Sequence, residues 1–61
     1  MTKSEQREVN RLDLYIAHGM RDTAARSIAT LIRSARTTRS ETELRAIAAQ
    51  LALDTHPDFI A

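Results

Sequence analysis

The sequence contains no cysteine, one glycine, one proline and only two aromatic residues. Without cysteine the chain cannot form disulfides, a thiolate zinc site or a thiol nucleophile. The scarcity of glycine and proline, with many Ala, Leu, Arg and Glu residues, favours helices over strands or disorder. We therefore predict an all-α fold, a compact bundle of three short helices followed by a short C-terminal tail.

The sequence also lacks a long apolar stretch. No segment approaches the roughly 18 apolar residues that a membrane span requires. The polar start at residues 1–6 does not have the apolar core of a signal peptide. We therefore expect no membrane contact and a cytoplasmic location. The 61 residues form one domain, 1–61, and a chain this short buries only about 60% of its unfolded surface. Its stability should be marginal unless association supplements the core.

The first helix is predicted over about 3–18. Thr2 and Glu5 have the spacing of a capping box, in which each side chain bonds the other's backbone N–H; Ser4 is the alternative cap. Gly19 should end the helix, since glycine enters the left-handed conformation without steric cost. Apolar residues spaced three or four positions apart should form one stripe on this helix. They are Val9, Leu12, Ile16 and Met20, with Tyr15 on the flank of the stripe.

The second and third helices are predicted over 23–36 and 41–53. Asp22 is the expected N-cap of the second helix. Ser40 and Glu43 match a capping box at the start of the third. The expected buried residues of the second helix are Ala24, Ile28, Leu31, Ile32 and Ala35, and those of the third are Leu44, Ile47, Ala48 and Leu51.

The tail, 54–61, contains the only proline, and a single helical turn can start at Pro57. Phe59 and Ile60 are too apolar to remain in water without a reason. We expect both side chains to contact the bundle or a partner.

Several apolar residues lie outside the predicted core stripes. Leu14 is on the polar side of the first helix, and the third helix has further apolar residues on its back, which suggests self-association or docking onto another protein. The predicted protein interface consists of Leu14, Ala46, Ala49, Leu53, Phe59 and Ile60. The simpler alternative is that exposed alanines merely favour helix and that one exposed leucine has no role.

Positive charge is concentrated in the middle of the chain, although the net charge is only +1. The candidate phosphate contacts are Arg26, Arg33, Arg36 and Arg39. They would bind nucleic acid without reading its sequence. The alternative is a solvated face, with Arg33 and Arg36 near a helix C-terminus where cations are favoured.

Residues for catalysis are scarce. His18 and His56 have no partner at metal-ligand spacing, and no glycine-rich loop is present to hold a phosphate. A Ser-His-Asp set needs a concave pocket, which three short helices can hardly form. We predict a non-enzyme without catalytic, cofactor or metal sites.

Residues 44–54 resemble the first helix of a helix-turn-helix motif, with an Ile-Ala pair at Ile47 and Ala48. The resemblance implies DNA binding through a recognition helix that follows. The sequence departs from the family where Ala52 replaces the usual turn glycine. Only seven residues follow Asp54, one of them Pro57, and a helix that short cannot fill a major groove.

Residues 15–26, continuing through 31–36, resemble short proteins encoded by bacteriophages and prophages. The resemblance implies a phage or mobile-element setting and action by binding a host protein, and it supplies no site residues. The leading expectation is therefore a homodimeric protein-binding module. The alternative is a nucleic-acid-binding accessory protein that uses the arginine-rich middle of the chain.

Overall fold

The computed structural model describes residues 1–60. Its helices are α1 (Lys3–Ala17), α2 (Arg21–Ser34), α3 (Thr38–Gln50) and the single-turn α4 (Pro57–Ile60). Helix α2 is central, because α1, α3 and α4 each pack against it. The predicted all-α bundle of three short helices is confirmed. None of the helices within residues 1–60 has the length and apolarity needed to cross a bilayer.

Helix α1 begins as predicted. The Thr2 hydroxyl accepts a hydrogen bond from the Glu5 backbone N–H at 3.1 Å. The Glu5 carboxylate accepts one from the Thr2 backbone N–H at 2.7 Å. This is the reciprocal capping box, and it satisfies two N–H groups that the first turn of a helix leaves without partners.

The start of α2 differs from the prediction. Met20 is the N-cap and supplies no side-chain hydrogen bond, so the assignment of Asp22 as cap is wrong. Asp22 lies in the first turn instead. The positive end of the helix dipole there stabilises its carboxylate. The helix can begin at Arg21 because the turn after α1 is complete by Met20, whose N–H bonds the Tyr15 carbonyl at 2.7 Å.

Helix α3 begins three residues earlier than predicted. The Thr37 hydroxyl accepts from the Ser40 backbone N–H at 3.1 Å, which makes Thr37 the N-cap. The predicted cap, Ser40, is buried, and its hydroxyl bonds the Glu5 carboxylate at 3.4 Å. The capping box at Ser40 and Glu43 is therefore wrong, because Ser40 lies inside the helix on the side facing α1.

Helix α3 also ends earlier than predicted, and this changes the position of Leu53. Ala52 adopts a left-handed conformation with φ of 56°. The Leu53 N–H then bonds the Ala48 carbonyl at 2.8 Å, and the chain turns back toward the bundle. Leu53 is fully buried. Its prediction as an interface residue is wrong, since it belongs to the core.

The core unites residues from all three long helices and from the turn after α3. Its fully or nearly fully buried members are Leu12, Ala24, Ala25, Ile28, Ile32, Leu44, Ala48 and Leu53. The prediction named too few buried residues in α2. Ala25 and Ala29 are buried as well, because other helices pack against several sides of α2. Met20, predicted in the α1 stripe, is 42% exposed because it lies beyond the end of that helix.

The tail folds onto the bundle. The single turn from Pro57 is confirmed as α4, and the His56 Nδ1 accepts a hydrogen bond from the Asp58 N–H at 3.1 Å. Phe59 is partly buried and packs against the core, as predicted. Ile60 is 71% exposed, so it does not share that contact with the bundle.

Candidate functional site

Two adjoining clefts of about 260 and 280 Å³ lie between α2, α3 and α4. They share Ala29 and Arg33 and together form one surface, called here the α4 groove. Its lining residues are Arg26, Ala29, Thr30, Ile32, Arg33, Arg45, Asp58, Phe59 and Ile60.

The apolar part of the α4 groove combines a buried floor with an exposed edge. Ala29 and Ile32 of α2 form the floor and are only 6% and 9% exposed. Phe59 covers part of the core from α4, and Ile60 at the edge is 71% exposed. An apolar side chain in water beside an apolar floor is a surface that a second molecule can cover at little desolvation cost.

The polar part of the groove is mainly cationic. Arg26 is 3.0 Å from Asp58, an ion pair that joins α2 to α4, and 3.8 Å from Asp22. Arg45 is 3.1 Å from Glu41 on its own helix. The lining contains three arginines and one carboxylate. The arginines in these ion pairs are more than half exposed, so the pairs contribute little to stability.

A larger cleft of about 430 Å³ lies where the start of α1, the end of α2 and the start of α3 meet. Hydroxyl groups dominate its polar lining, with Glu5, Glu8 and Arg36 as the charged members. The backbone N–H of Thr2 bonds the Glu5 carboxylate and holds its pKa below the ordinary value, and the Thr2 and Ser40 hydroxyls add to the effect. Glu5 thus stays ionised while it links α1 to α3.

The structure brings together only some of the predicted interface residues. Phe59 and Ile60 line the α4 groove. Ala49 is exposed and lies one helical turn after Arg45, near the same edge of α3, and Ala46 is exposed on the same helix. Leu14 is 60% exposed on α1, two residues from the buried Leu12 and therefore on the opposite face.

The four candidate phosphate contacts do not line one cleft. Arg26 and Arg33 line the α4 groove, whereas Arg36 lines the larger cleft near the start of α1. Arg39 pairs with Glu43 at 3.2 Å. The N-terminal ammonium group also bonds Glu43, at 3.2 Å, and is the main reason that the pKa of Glu43 is lowered. Whether these arginines bind phosphate stays a prediction.

Several contributors to this surface were not identified from the sequence. Arg45 was not singled out, although its pairing with Glu41 follows from their i, i+4 spacing on a helix. The sequence pattern did not indicate that Ala29 is buried, because its burial depends on the packing of α4 against α2. Arg21, which does not line the groove, was missed too: its guanidinium donates to the carbonyls of Leu51 and Ala52, each at 3.0 Å. No local pattern relates residues that are thirty positions apart.

The residues able to ligate a metal are dispersed. Among residues 1–60, no three His, Asp or Glu side chains are grouped closely enough to hold an ion. His18 is exposed at the end of α1, and His56 uses its Nδ1 to accept the Asp58 N–H.

Comparison with known protein families, with curated proteins and with solved structures finds no match to this chain.

Proposed function

We propose that this protein is a small non-enzymatic protein-binding module that acts through the α4 groove. The observation that supports this most directly is Ile60, 71% exposed beside the buried floor of Ala29 and Ile32. Fully burying such a side chain contributes roughly 1.5–3 kcal/mol. A partner that covers Ile60 and the floor together gains that free energy without rearranging the bundle.

The arginines around the groove suit a protein contact. Guanidinium groups are common in interfaces because they form planar, paired hydrogen bonds with carboxylates and stack on apolar side chains. Arg26 and Arg45 are held in place by Asp58 and Glu41, so little side-chain entropy is lost when a partner binds. The expected partner therefore combines an apolar side chain with a carboxylate.

The proposed partners are, first, a second copy of the chain and, second, a host protein in a phage or mobile-element setting. Self-association fits the size of the chain, because 61 residues leave a small core that an interface can supplement. The phage setting rests on sequence resemblance alone. A cytoplasmic location is part of the proposal and rests on the sequence pattern.

Site-specific photo-crosslinking tests the proposed function. A photoreactive amino acid placed at Ile60 should form covalent adducts with protein in the native cells. The same group at Lys3, exposed at the start of α1, serves as the control and should not. An adduct of twice the chain mass of 6.9 kDa identifies a second copy. Absence of any adduct at Ile60 would contradict the proposal.

Nucleic-acid binding is the alternative function, and the ion pairs weigh against it. Phosphate contacts by Arg26 and Arg39 must compete with Asp58 and Glu43, which lie 3.0 and 3.2 Å away. Titration against duplex DNA and RNA at two salt concentrations decides the question, because phosphate-driven binding strengthens as salt falls. No binding at low salt would eliminate this alternative.

A further inference from the structure

The outward side of α1 carries a row of exposed, mostly basic residues that the bundle does not use. Helix α1 packs on α2 through the side that holds the buried Leu12. At about 100° per residue, the opposite side gathers a second row of positions spaced three or four apart, within roughly 80° of one another. All of them are exposed, and together they are called here the α1 face: Lys3, Arg7, Arg11, Leu14 and His18.

Two amide side chains lie beside the α1 face. Gln6 and Asn10 are exposed one turn apart, and the Gln6 amide nitrogen donates a hydrogen bond to the Asn10 side-chain oxygen at 3.1 Å. Leu14 follows Asn10 by a further turn and is 60% exposed. The solvent side of α1 therefore combines guanidinium, amide and apolar groups on one straight helix.

Carboxylates neutralise little of the positive charge on the α1 face. Within residues 1–60 the side chains of Lys3 and Arg7 take part in no hydrogen bond or ion pair. Arg11 pairs with Glu8 at 3.2 Å, and Asp13 lies about a quarter turn from the other edge of the row. An anionic partner can reach Lys3 and Arg7 without breaking an ion pair, whereas it must compete with carboxylates at the paired arginines of α2 and α3.

The shape and chemistry of this side of α1 fit the major groove of duplex DNA. A helix with its side chains is about 10–12 Å across, and the major groove of B-DNA is about 12 Å wide. The 15 residues of α1 span about 22 Å. In that groove guanidinium groups bond guanine, amides bond adenine and apolar side chains contact the thymine methyl group. A lipid surface would instead require a broad apolar face, and Leu14 is the one large apolar side chain here.

We infer that α1 is a DNA-binding helix whose α1 face enters the major groove of a duplex. Arg7 and Arg11 donate to guanine edges, and Lys3 contacts a phosphate. Asn10 bonds adenine, and Leu14 contacts a thymine methyl group. This function is separate from the proposed function, because the α4 groove shares no residue with the α1 face. It also differs from the alternative function, whose arginines lie outside α1.

Fluorescence anisotropy with a labelled duplex DNA of mixed sequence tests the inference. Wild type should bind at low salt and lose affinity as salt rises, because phosphate contacts release counterions. Arg7→Ala should weaken binding at least about fivefold. Arg45→Ala is the matched control: it removes the same charge from α3, in the α4 groove, and should change the affinity by less than about twofold. Both arginines are exposed, so circular dichroism should show unchanged helicity.

Three further measurements separate major-groove contacts from phosphate contacts alone. Prior methylation of guanine N7 with dimethyl sulfate blocks an acceptor in the major groove and should weaken binding of wild type. Duplex RNA of the same sequence should bind more weakly than DNA, because its major groove is too deep and narrow for side chains. Asp13→Asn should strengthen DNA binding, since it removes a carboxylate that neighbouring phosphates repel.

Several results would overturn the inference. They are no binding of wild type to the duplex at low salt, equal losses for Arg7→Ala and Arg45→Ala, or no effect of N7 methylation. Binding to duplex RNA, polyglutamate or phosphatidylserine vesicles as tight as binding to DNA would also overturn it, because the α1 face would then be a general anion-binding surface. None of these results affects the proposed function, which photo-crosslinking at Ile60 tests separately.

Discussion

At the scale of single residues, Gly19 and Ala52 adopt the same left-handed backbone conformation, but its cost in conformational free energy differs between the two. Their φ angles are 73° and 56°, and each follows the last turn of a long helix. After each, the next N–H bonds a carbonyl five residues earlier, at 2.7 Å for Met20 and 2.8 Å for Leu53. Glycine adopts this conformation freely, whereas a residue with a Cβ loses roughly 1–2 kcal/mol.

Exchanging the residue types at these positions should change stability in opposite directions. Ala52→Gly should raise the free energy of unfolding by about 1 kcal/mol, because it removes the left-handed strain. Gly19→Ala should lower it by about 1 kcal/mol; a Cβ there meets no atom within 4 Å, so only the backbone is penalised. Urea unfolding measures both. A less stable Ala52→Gly variant would show that the turn after α3 is not strained.

Glu5 should make stability depend on pH. Its pKa is lowered from 4.5, chiefly by the Thr2 backbone N–H, so the folded chain binds this proton more weakly than the unfolded chain. The stabilisation is therefore complete above the ordinary pKa and is lost as pH falls through the lowered folded value. Glu5→Gln keeps an acceptor without the charge. Its melting temperature should lie below that of wild type at neutral pH and converge with it in acid; a constant difference would argue against this role.

At the scale of helices, α4 depends on Phe59 rather than on its own four residues. Isolated helices shorter than roughly 12 residues are marginal in water, so tertiary packing must hold this turn. Phe59 packs against the core, and the 3.0 Å ion pair between Arg26 and Asp58 joins α4 to α2. The ion pair is partly exposed and adds less than the apolar contact.

Replacing each of the two apolar side chains of α4 by alanine should show which of them stabilises the fold by packing on the bundle. Phe59→Ala should lower the free energy of unfolding by about 2 kcal/mol, since the side chain is only partly buried. Ile60→Ala is the control and should change it by less than about 0.5 kcal/mol when measured on dilute monomer. Equal losses would mean that Ile60 also packs on the bundle.

At the scale of the whole molecule, every long helix contributes to one small core. A substitution that leaves a cavity in this core should therefore destabilise all three helices together. Leu53 is fully buried although it lies beyond the end of α3. Leu53→Ala should cost roughly 2–5 kcal/mol, a large share of the stability of a domain this small. Ala49→Glu, on the exposed side of α3, should leave folding unchanged. Thermal unfolding followed by circular dichroism compares the two; equal effects would place Leu53 outside the core.

The sequence by itself determined the features that depend on neighbours within one helical turn. The all-α class, the capping box at Thr2, the stop at Gly19 and the single turn from Pro57 each rest on residues at most four positions apart. Local hydrogen bonds and the 3.6-residue period carry that information. The exposure of Leu14 could be predicted for the same reason.

Only the tertiary structure decided the rest. Ser40 is buried because Glu5 lies against it, and Leu53 enters the core because Arg21 and the left-handed Ala52 support the turn after α3. The α4 groove exists because the tail folds back onto α2. These contacts join residues some thirty positions apart. The fold that brings them together is stabilised by burying apolar surface in one shared core, which no short segment contains.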